Sequence, residues 1–474
     1  MLVSDVDLTD VEERRGIHIS LYAALVSADT AAMSVRMLPI VRCLLPGLLA
    51  AATATAQLGP TAGASSSPPL AGVHAGPVAT AYLALVRTSI VPADPRTVAS
   101  AALGAMEAAG ADHDGVLPED FGHDADRDAA WLMERTRGAP SPWPIVNAMA
   151  RATGTAHVGL GSPALRRAMR GLVTGMPVSA PGLGVCRLDD GRFAICDVVP
   201  GASAERSGLR AGDVLLRIGD ETVTNQATLL MPIVALPAGE QVRLTIERGG
   251  HRLEIALMLV QAEVSSVESR LLGDAIGYVR IRWFSRSQDP ARDTATLTRN
   301  AFAWLAAQGA RALVLDLRSA LGGVGDVSVA SALCDGDVVY HVRDPMSEPA
   351  KPVPREGPRI WPQRPIVVLV NDETVSAGET LALAVRELAS ATIVGRPTAG
   401  GLTEASFIAL GEERSLLIPT GVVLGPLSRQ DQPGHAVRPD IEVNNPSVEE
   451  LSQGRDRQLE AARALAARAP VIRR

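Results

Sequence analysis

The sequence predicts a multidomain α/β protein: a helical N-terminal domain, a small β-rich module and an α/β layered core. Three observations carry that expectation. Helical apolar periodicity dominates residues 77–176. Short strands broken by glycine turns fill residues 177–262. From Ile276 onward, compact apolar runs alternate with helical stretches. The 474 residues are 47% hydrophobic and 20% charged, so a packed core is attainable and disorder cannot dominate. A length of this size allows roughly three domains. A net charge of −7 and an aromatic content of only 3% argue against nucleic acid as a partner.

At the N-terminus, residues 1–32 are polar and irregular. Two arginines, Arg36 and Arg42, then precede a short apolar run from Cys43 to Ala52, followed by Ala54-Thr55-Ala56. These are the three parts of a secretory signal peptide. Residues 1–56 are therefore expected to be a spurious start plus a signal, with Met33 or Met37 as the true start and cleavage after Ala56. Export to the periplasm or the extracellular space follows. The run is too short and too Pro-broken for a membrane span. Residues 57–76, rich in Ala, Gly, Ser and Pro, read as a flexible linker.

The next elements follow in order. Helical patterns run over Val78–Val86, Pro95–Ala109, Asp128–Arg135, Pro144–Ala152 and Pro163–Thr174, giving the domain at 77–176. In the β-rich module, Cys186 and Cys196 flank the turn Asp189-Asp190-Gly191. They are either two free thiols or a cross-hairpin disulfide, which an exported compartment permits. No CxxC or HExxH spacing occurs, so no metal or other cofactor is expected. The core, 263–446, is read from strands at 276–281, 312–317 and 366–370 and a helix at 291–308. A polar-faced helix ends the chain at 447–474.

Chemistry concentrates at Ser376. It follows the buried strand Ile366-Val367-Val368-Leu369-Val370 and opens the helix Leu381–Leu388. Unpaired N–H groups and the positive dipole end meet there, which suits an acyl-transfer nucleophile. An N-cap serine is the plainer explanation for the same position.

Three further segments, in order, carry a resemblance. Ile276-Gly277-Tyr278-Val279-Arg280-Ile281 with Phe284, then Asp316-Leu317-Arg318-Ser319-Ala320-Leu321-Gly322-Gly323, then Ser376-Ala377-Gly378-Glu379 with Val394–Gly401 resemble the C-terminal-processing, or tail-specific, serine peptidases. Val437–Val443 is a weaker fourth match. The resemblance implies a crotonase-like/ClpP-like peptidase core. Gly182-Leu183-Gly184-Val185, with Val199–Leu209 and Ala211–Leu215, resembles a PDZ domain. The first stretch is similar to its peptide-carboxylate loop, where successive backbone N–H groups hold a terminal carboxylate and the peptide adds as a strand.

One branch of this family uses a Ser–Lys dyad. The lysine position is occupied by Gly401, and the single lysine of the chain, Lys351, lies in a Pro-rich loop. Arginine cannot replace it, because it keeps its proton. A histidine base is implied instead. Of eight histidines, His157 stands in a segment similar to the one that supplies the base in the tricorn-like and retinoid-binding-like branch, with Thr155 and Leu160 departing from the pattern. The orienting acid of that branch is missing: its position holds Pro433, and Asp431 or His435 are the nearby candidates. The resemblance places the oxyanion hole at the amides of Gly322, Gly323 and Ala377. Asp316 with Arg318 is read as structural, and Glu379 as a helix-end charge.

The expected function is an exported serine endopeptidase. Ser376 attacks, His157 carries the proton, an acyl-enzyme forms, and the PDZ-like module engages substrate C-termini. The alternative is a non-catalytic binder of small hydrophobic ligands or peptides on a degenerate core. The partner expected is a protein or peptide substrate. Nothing in the sequence sets the oligomeric state.

Overall fold

The strand-rich runs from Ile276 onward contain β-branched residues on both faces, as buried parallel strands require. The computed structural model describes residues 76–468, except 111–115, 156, 162, 176–180, 220, 224–232, 234, 235, 237, 261–263 and 346–348. The expected signal at 1–56 and linker up to residue 75 lie outside the described residues.

Helices α1 (Pro77–Leu83), α2 (Pro95–Ala108), α3 (Ala125–Thr136) and α4 (Trp143–Ala152) come first. Asp94 caps α2 by accepting from Thr97 N, and Asp124 caps α3 from Asp126 N and Arg127 N. Their apolar faces bury Tyr82, Met106, Leu132 and Met149 around Phe121, which meets Tyr82 and Trp131 edge-on. The cluster is completed by Leu416 and Ile418 of a later strand, so these helices rest on a sheet of the core. A short strand β1 (Gly159–Gly161) and helix α5 (Pro163–Thr174) follow.

The β-rich module is a sheet in the order β2-β3-β4-β6-β7, with β5 beside β4. Its strands are β2 (Leu183–Arg187), β3 (Phe193–Val198), β4 (Val214–Ile218), β5 (Glu221–Thr222), β6 (Gln241–Arg248) and β7 (His251–Met258); a short helix α6 (Ser203–Arg206) lies between β3 and β4. Strand β2 is an edge.

The core begins with β8 (Val267–Leu272) and β9 (Ile276–Ile281), then α7 (Thr294–Ala307), β10 (Ala312–Asp316), α8 (Asp326–Leu333), β11 (Val338–Arg343), β12 (Lys351–Pro354), β13 (Ile366–Val370), α9 (Ala377–Ala389) and β14 (Thr392–Gly395). It ends with the long hairpin β15 (Thr403–Gly411) and β16 (Arg414–Leu424), β17 (Ile441–Glu442), α10 (Val448–Ser452) and α11 (Arg457–Arg468). One sheet runs β17-β14-β13-β10-β9-β8; all its pairings are parallel except β8 with β9. Helices cover both faces. Phe302 and Leu381 pack on one, and Ala462 and Ala466 of α11 on the other, against Tyr278, Val314 and Leu369. The second sheet runs β1-β16-β11-β12, with β15 on β16. The multidomain α/β expectation holds. The sequence reading did not anticipate this second sheet, whose strand β1 joins the segment after His157 to the core.

Candidate active site

Ser376 stands between β13 and α9, at the strand-to-helix junction the sequence indicated. Its backbone is strained, with φ 58° and ψ −120°. A non-glycine residue there costs on the order of 1–3 kcal/mol, so its surroundings must impose the conformation. They do. Val375 N donates to Ala320 O at 3.2 Å, Glu379 N and Thr380 N donate to Ser376 O at 2.8 and 3.0 Å, and Ser376 N donates to Glu379 Oε2 at 2.8 Å. Just upstream, Asn371 Oδ1 accepts from Ser319 N and Thr374 Oγ1 donates to Leu317 O, which ties the elbow to the loop after β10. Ser376 is thus both an N-cap residue and a strained elbow.

The Gly-Gly loop lies against this serine. A Cβ on Gly322, whose φ is +77°, would fall 2.8 Å from Ser376 Cβ and 3.3 Å from its Oγ. Gly322 O accepts from Phe284 N at 2.8 Å, and Val324 N donates to Phe284 O. Among the described residues, the N–H groups of Gly322, Gly323 and Ala377 have no hydrogen-bond acceptor. These are the three amides the sequence named for an oxyanion hole; Gly322 lies against Ser376, Gly323 follows it against Phe284, and Ala377 follows Ser376 at the helix start. Arg318 holds the loop from behind. It donates to both oxygens of Asp316, and its Nη1 and Nη2 reach Asp456 at 2.8 and 2.7 Å.

Glu379 is more than a helix-end charge. Fully buried, its carboxylate accepts from Ser376 N, from Gly401 N at 2.7 Å, from Gly400 N at 3.0 Å and from Thr398 Oγ1 at 2.5 Å. Burial pushes its pKa up to about 7, against the pull of these donors. A Cβ on Gly401 would meet Glu379 Oε2 at 2.8 Å and Ser376 N at 3.2 Å. Position 401 therefore faces the nucleophile, but the space a side chain needs is filled by Glu379. Lys351 bonds Asp344 at 3.0 Å instead and stays largely exposed.

His157 is buried, 8% exposed, in the turn before β1. Its Nδ1 lies 2.7 Å from Thr403 Oγ1 at the start of β15. Burial pushes its pKa down to about 4, opposed only by the Thr403 main chain. No hydrogen bond joins His157 to Ser376 Oγ among the described residues. Of the two residues proposed as an orienting partner, neither touches His157: His435 Nδ1 and Asp431 Oδ1 pair with each other at 3.0 Å. Thr403 was missed because a threonine at a strand start has no signature of its own. The one available signal was its place two residues after Gly401.

Residues 275–443 match the family model Peptidase family S41, and residues 181–259 match the PDZ domain model. Residues 275–443 therefore form a peptidase family S41 domain, preceded by a PDZ domain at 181–259. The chain is 27% identical over 275 residues to a carboxy-terminal-processing protease of Bartonella bacilliformis, covering 56% of this chain and 62% of that one. It is 29% identical over 288 residues to the chloroplastic carboxyl-terminal-processing peptidase 2 of Arabidopsis thaliana, covering 57% and 52%. A chloroplastic C-terminal processing peptidase of Tetradesmus obliquus is 32% identical over 263 residues, covering 50% and 53%. The chain thus spans about half the length of the curated relatives it matches.

The PDZ domain is seated on the S41 core through β2. Ser319 Oγ, on the Gly322 loop, donates to Val185 O at 2.8 Å. Arg280 and Arg282 of the core pair with Asp197, and a Cβ on Gly184 would meet Arg280 Nη2 at 3.1 Å. Gly182, at φ +69°, has its carbonyl bonded by Val199 N, and a Cβ there would lie 2.0 Å from Ala202 Cβ. The stretch read as a carboxylate loop, Gly182-Leu183-Gly184-Val185, is therefore on the edge that meets the core. Cys186 and Cys196 are free thiols in one apolar cluster with Leu188 and Leu451, so of the two alternatives the structure holds the reduced one. No group of three or more His, Cys, Asp or Glu is placed to hold a metal ion among the described residues.

Proposed function

We propose that this chain is an exported serine endopeptidase that cleaves protein or peptide substrates near their C-termini through an acyl-enzyme. The observation that carries the reading is the strained Ser376 elbow pressed against Gly322, at a helix N-terminus and beside three N–H groups with no acceptor among the described residues. Ser376 Oγ attacks the scissile carbonyl, and the Gly322, Gly323 and Ala377 amides receive the oxyanion. His157 takes the serine proton and returns it to the leaving amine; water then clears the acyl group. A substrate backbone drawing into the site brings Ser376 and His157 into contact, as catalytic hydrogen bonds tighten in the complex.

The PDZ domain presents the substrate. Backbone N–H groups at Gly182, Leu183, Gly184 and Val185 take the terminal carboxylate, and the peptide extends along β2. Because Val185 O is held by Ser319, a strand adding there competes with that contact. No helix among the described residues is long and apolar enough to cross a membrane. The signal-like segment of the sequence, Arg36 and Arg42 before the apolar run to Ala52 and Ala54-Thr55-Ala56, supports export.

A fluorophosphonate probe tests the reading directly. The purified chain is expected to be labelled at Ser376, Ser376→Ala not at all, and His157→Ala at least 10²-fold more slowly, on the scale of a lost general base. A folded wild-type chain that takes no label would sink the peptidase reading.

A further inference from the structure

We infer that Thr403 is the positioning residue of the histidine base, filling with a neutral hydroxyl the place a carboxylate takes in a Ser–His–acid arrangement. This rests on the peptidase reading of Ser376 and His157.

The contact is specific. His157 Nδ1 and Thr403 Oγ1 are 2.7 Å apart, both residues are buried, and they lie 246 positions apart in the chain. The sheet fixes both ends. Thr403 pairs with Val422 of β16, while Gly159 and Gly161, just after His157, pair with Leu417 and Ser415 of the same strand. Strand β16 is thus a shared template for base and partner. Thr403 is also tied to the nucleophile. Gly401 N donates to Glu379, and the same carboxylate accepts from Ser376 N. Two residues of chain separate that amide from Thr403. A continuous route of main chain and hydrogen bonds therefore runs from the nucleophile's backbone to the ring of its base.

The chemistry follows from the partner's neutrality. With Nδ1–H donated to Thr403, Nε2 keeps its lone pair for the Ser376 proton. In the attack, the Oγ–H bond breaks as Oγ bonds to the carbonyl carbon, and the proton passes to Nε2. In the collapse, Nε2 gives it to the leaving amine while Nδ1–H stays on Thr403. The hydroxyl orients the ring but adds no negative charge. Among the described residues no carboxylate or cation perturbs His157: burial raises Glu404, next to Thr403, whose charged neighbours are Asp344 and Lys351, Glu379 is spent on its own donors, and Asp431 is held by His435. A dry, uncharged setting of this kind keeps the ring neutral across the physiological range.

The test is the rate of fluorophosphonate labelling at Ser376 as a function of pH, in the full chain, with Ser376→Ala as the blank. Thr403→Val keeps the shape and removes the hydroxyl. It is expected to slow labelling roughly 10²-fold, as for a misoriented base. Thr403→Ser is expected to recover it to within about tenfold. Thr403→Asp is expected to move the acid limb of the profile up by about one pH unit or more, because a carboxylate stabilises the imidazolium. Matching far-UV spectra and melting points establish that the variants are folded. Val and wild type labelling alike overturns the proposal and leaves the peptidase reading standing; so does a Ser variant as slow as Val, or an Asp variant with an unmoved acid limb. A wild-type chain that takes no label overturns the reading beneath it.

Discussion

Two carboxylates, both fully buried in the S41 core, behave oppositely. Asp316, at the C-terminal end of β10, faces Arg318, Arg280 and the Tyr278 hydroxyl. Burial alone would raise its pKa, but Arg318 and then Arg280 overcome that and hold it down to about 2. Glu379, in the first turn of α9, has as many hydrogen bonds but no cation among its partners in the described residues. Burial wins, and its pKa rises to about 7. Hydrogen-bond count does not decide the charge of a buried acid; the formal charge of its donors does. Asp316 is therefore a permanent half of an ion pair that steadies the Gly322 loop. Glu379 sits at the pH where protonation can loosen the tie between Ser376 and the segment carrying Thr403.

The largest test of this contrast is Glu379→Ala. It leaves Ser376 N, Gly400 N, Gly401 N and the Thr398 hydroxyl without their acceptor, at about 1–3 kcal/mol for each buried group left unpaired. A loss on the order of 4 kcal/mol in urea unfolding is expected, together with loss of probe labelling. Asp316→Asn should cost less, about 3 kcal/mol, because Arg318 keeps Asp456 as a partner. If the aspartate variant is the more damaged of the two, the ranking is wrong.

The pH dependence sharpens the same comparison. The folded pKa of Glu379 lies above its ordinary value of 4.5, so its contribution is complete below about pH 4.5 and fades as pH rises through about 7. That difference is worth about 3 kcal/mol. For Asp316, depressed from 3.8, the contribution is present above about pH 4 and is lost as pH falls toward 2, about 2 kcal/mol in all. Unfolding measured from pH 2 to 8 should show both arms. Glu379→Gln should flatten the arm between pH 4.5 and 7 and leave the acid arm intact.

The smallest effect is expected at Gly401. An alanine methyl there would press on Glu379 Oε2 and Ser376 N, costing about 1–3 kcal/mol. Labelling should slow with it. An alanine variant of wild-type stability would mean that the carboxylate is free to withdraw, and that the lysine position is more open than its contacts indicate.

Much of this was legible in the sequence. The apolar run 366–370, ending at Asn371 and followed by Ser376, read as strand and elbow because a buried parallel strand must be apolar on both faces and the helix after it must start somewhere. The helices at 95–108 and 143–152 were visible from apolar spacing and proline at the first turn. The hairpin β15–β16 was not: most of its Thr403–Gly411 strand alternates half-buried and exposed residues, and its turn has a single glycine, Gly411, followed by Glu412-Glu413 at positive φ rather than by a glycine-rich turn pair.

By itself, the sequence determined the order of the modules, the identity of the nucleophile candidate and the exclusion of a lysine base, because each rests on local composition or on a residue that is absent. Only the tertiary structure decided which group meets His157 and what fills position 401. Thr403 and His157 are joined through a strand neither belongs to, and Glu379 reaches into a space between two segments, the Ser376 elbow and residues 398–401. A hydroxyl at a strand start and a glutamate in a helix's first turn are common in sequences. Their roles come from what the fold sets against them at less than 3 Å.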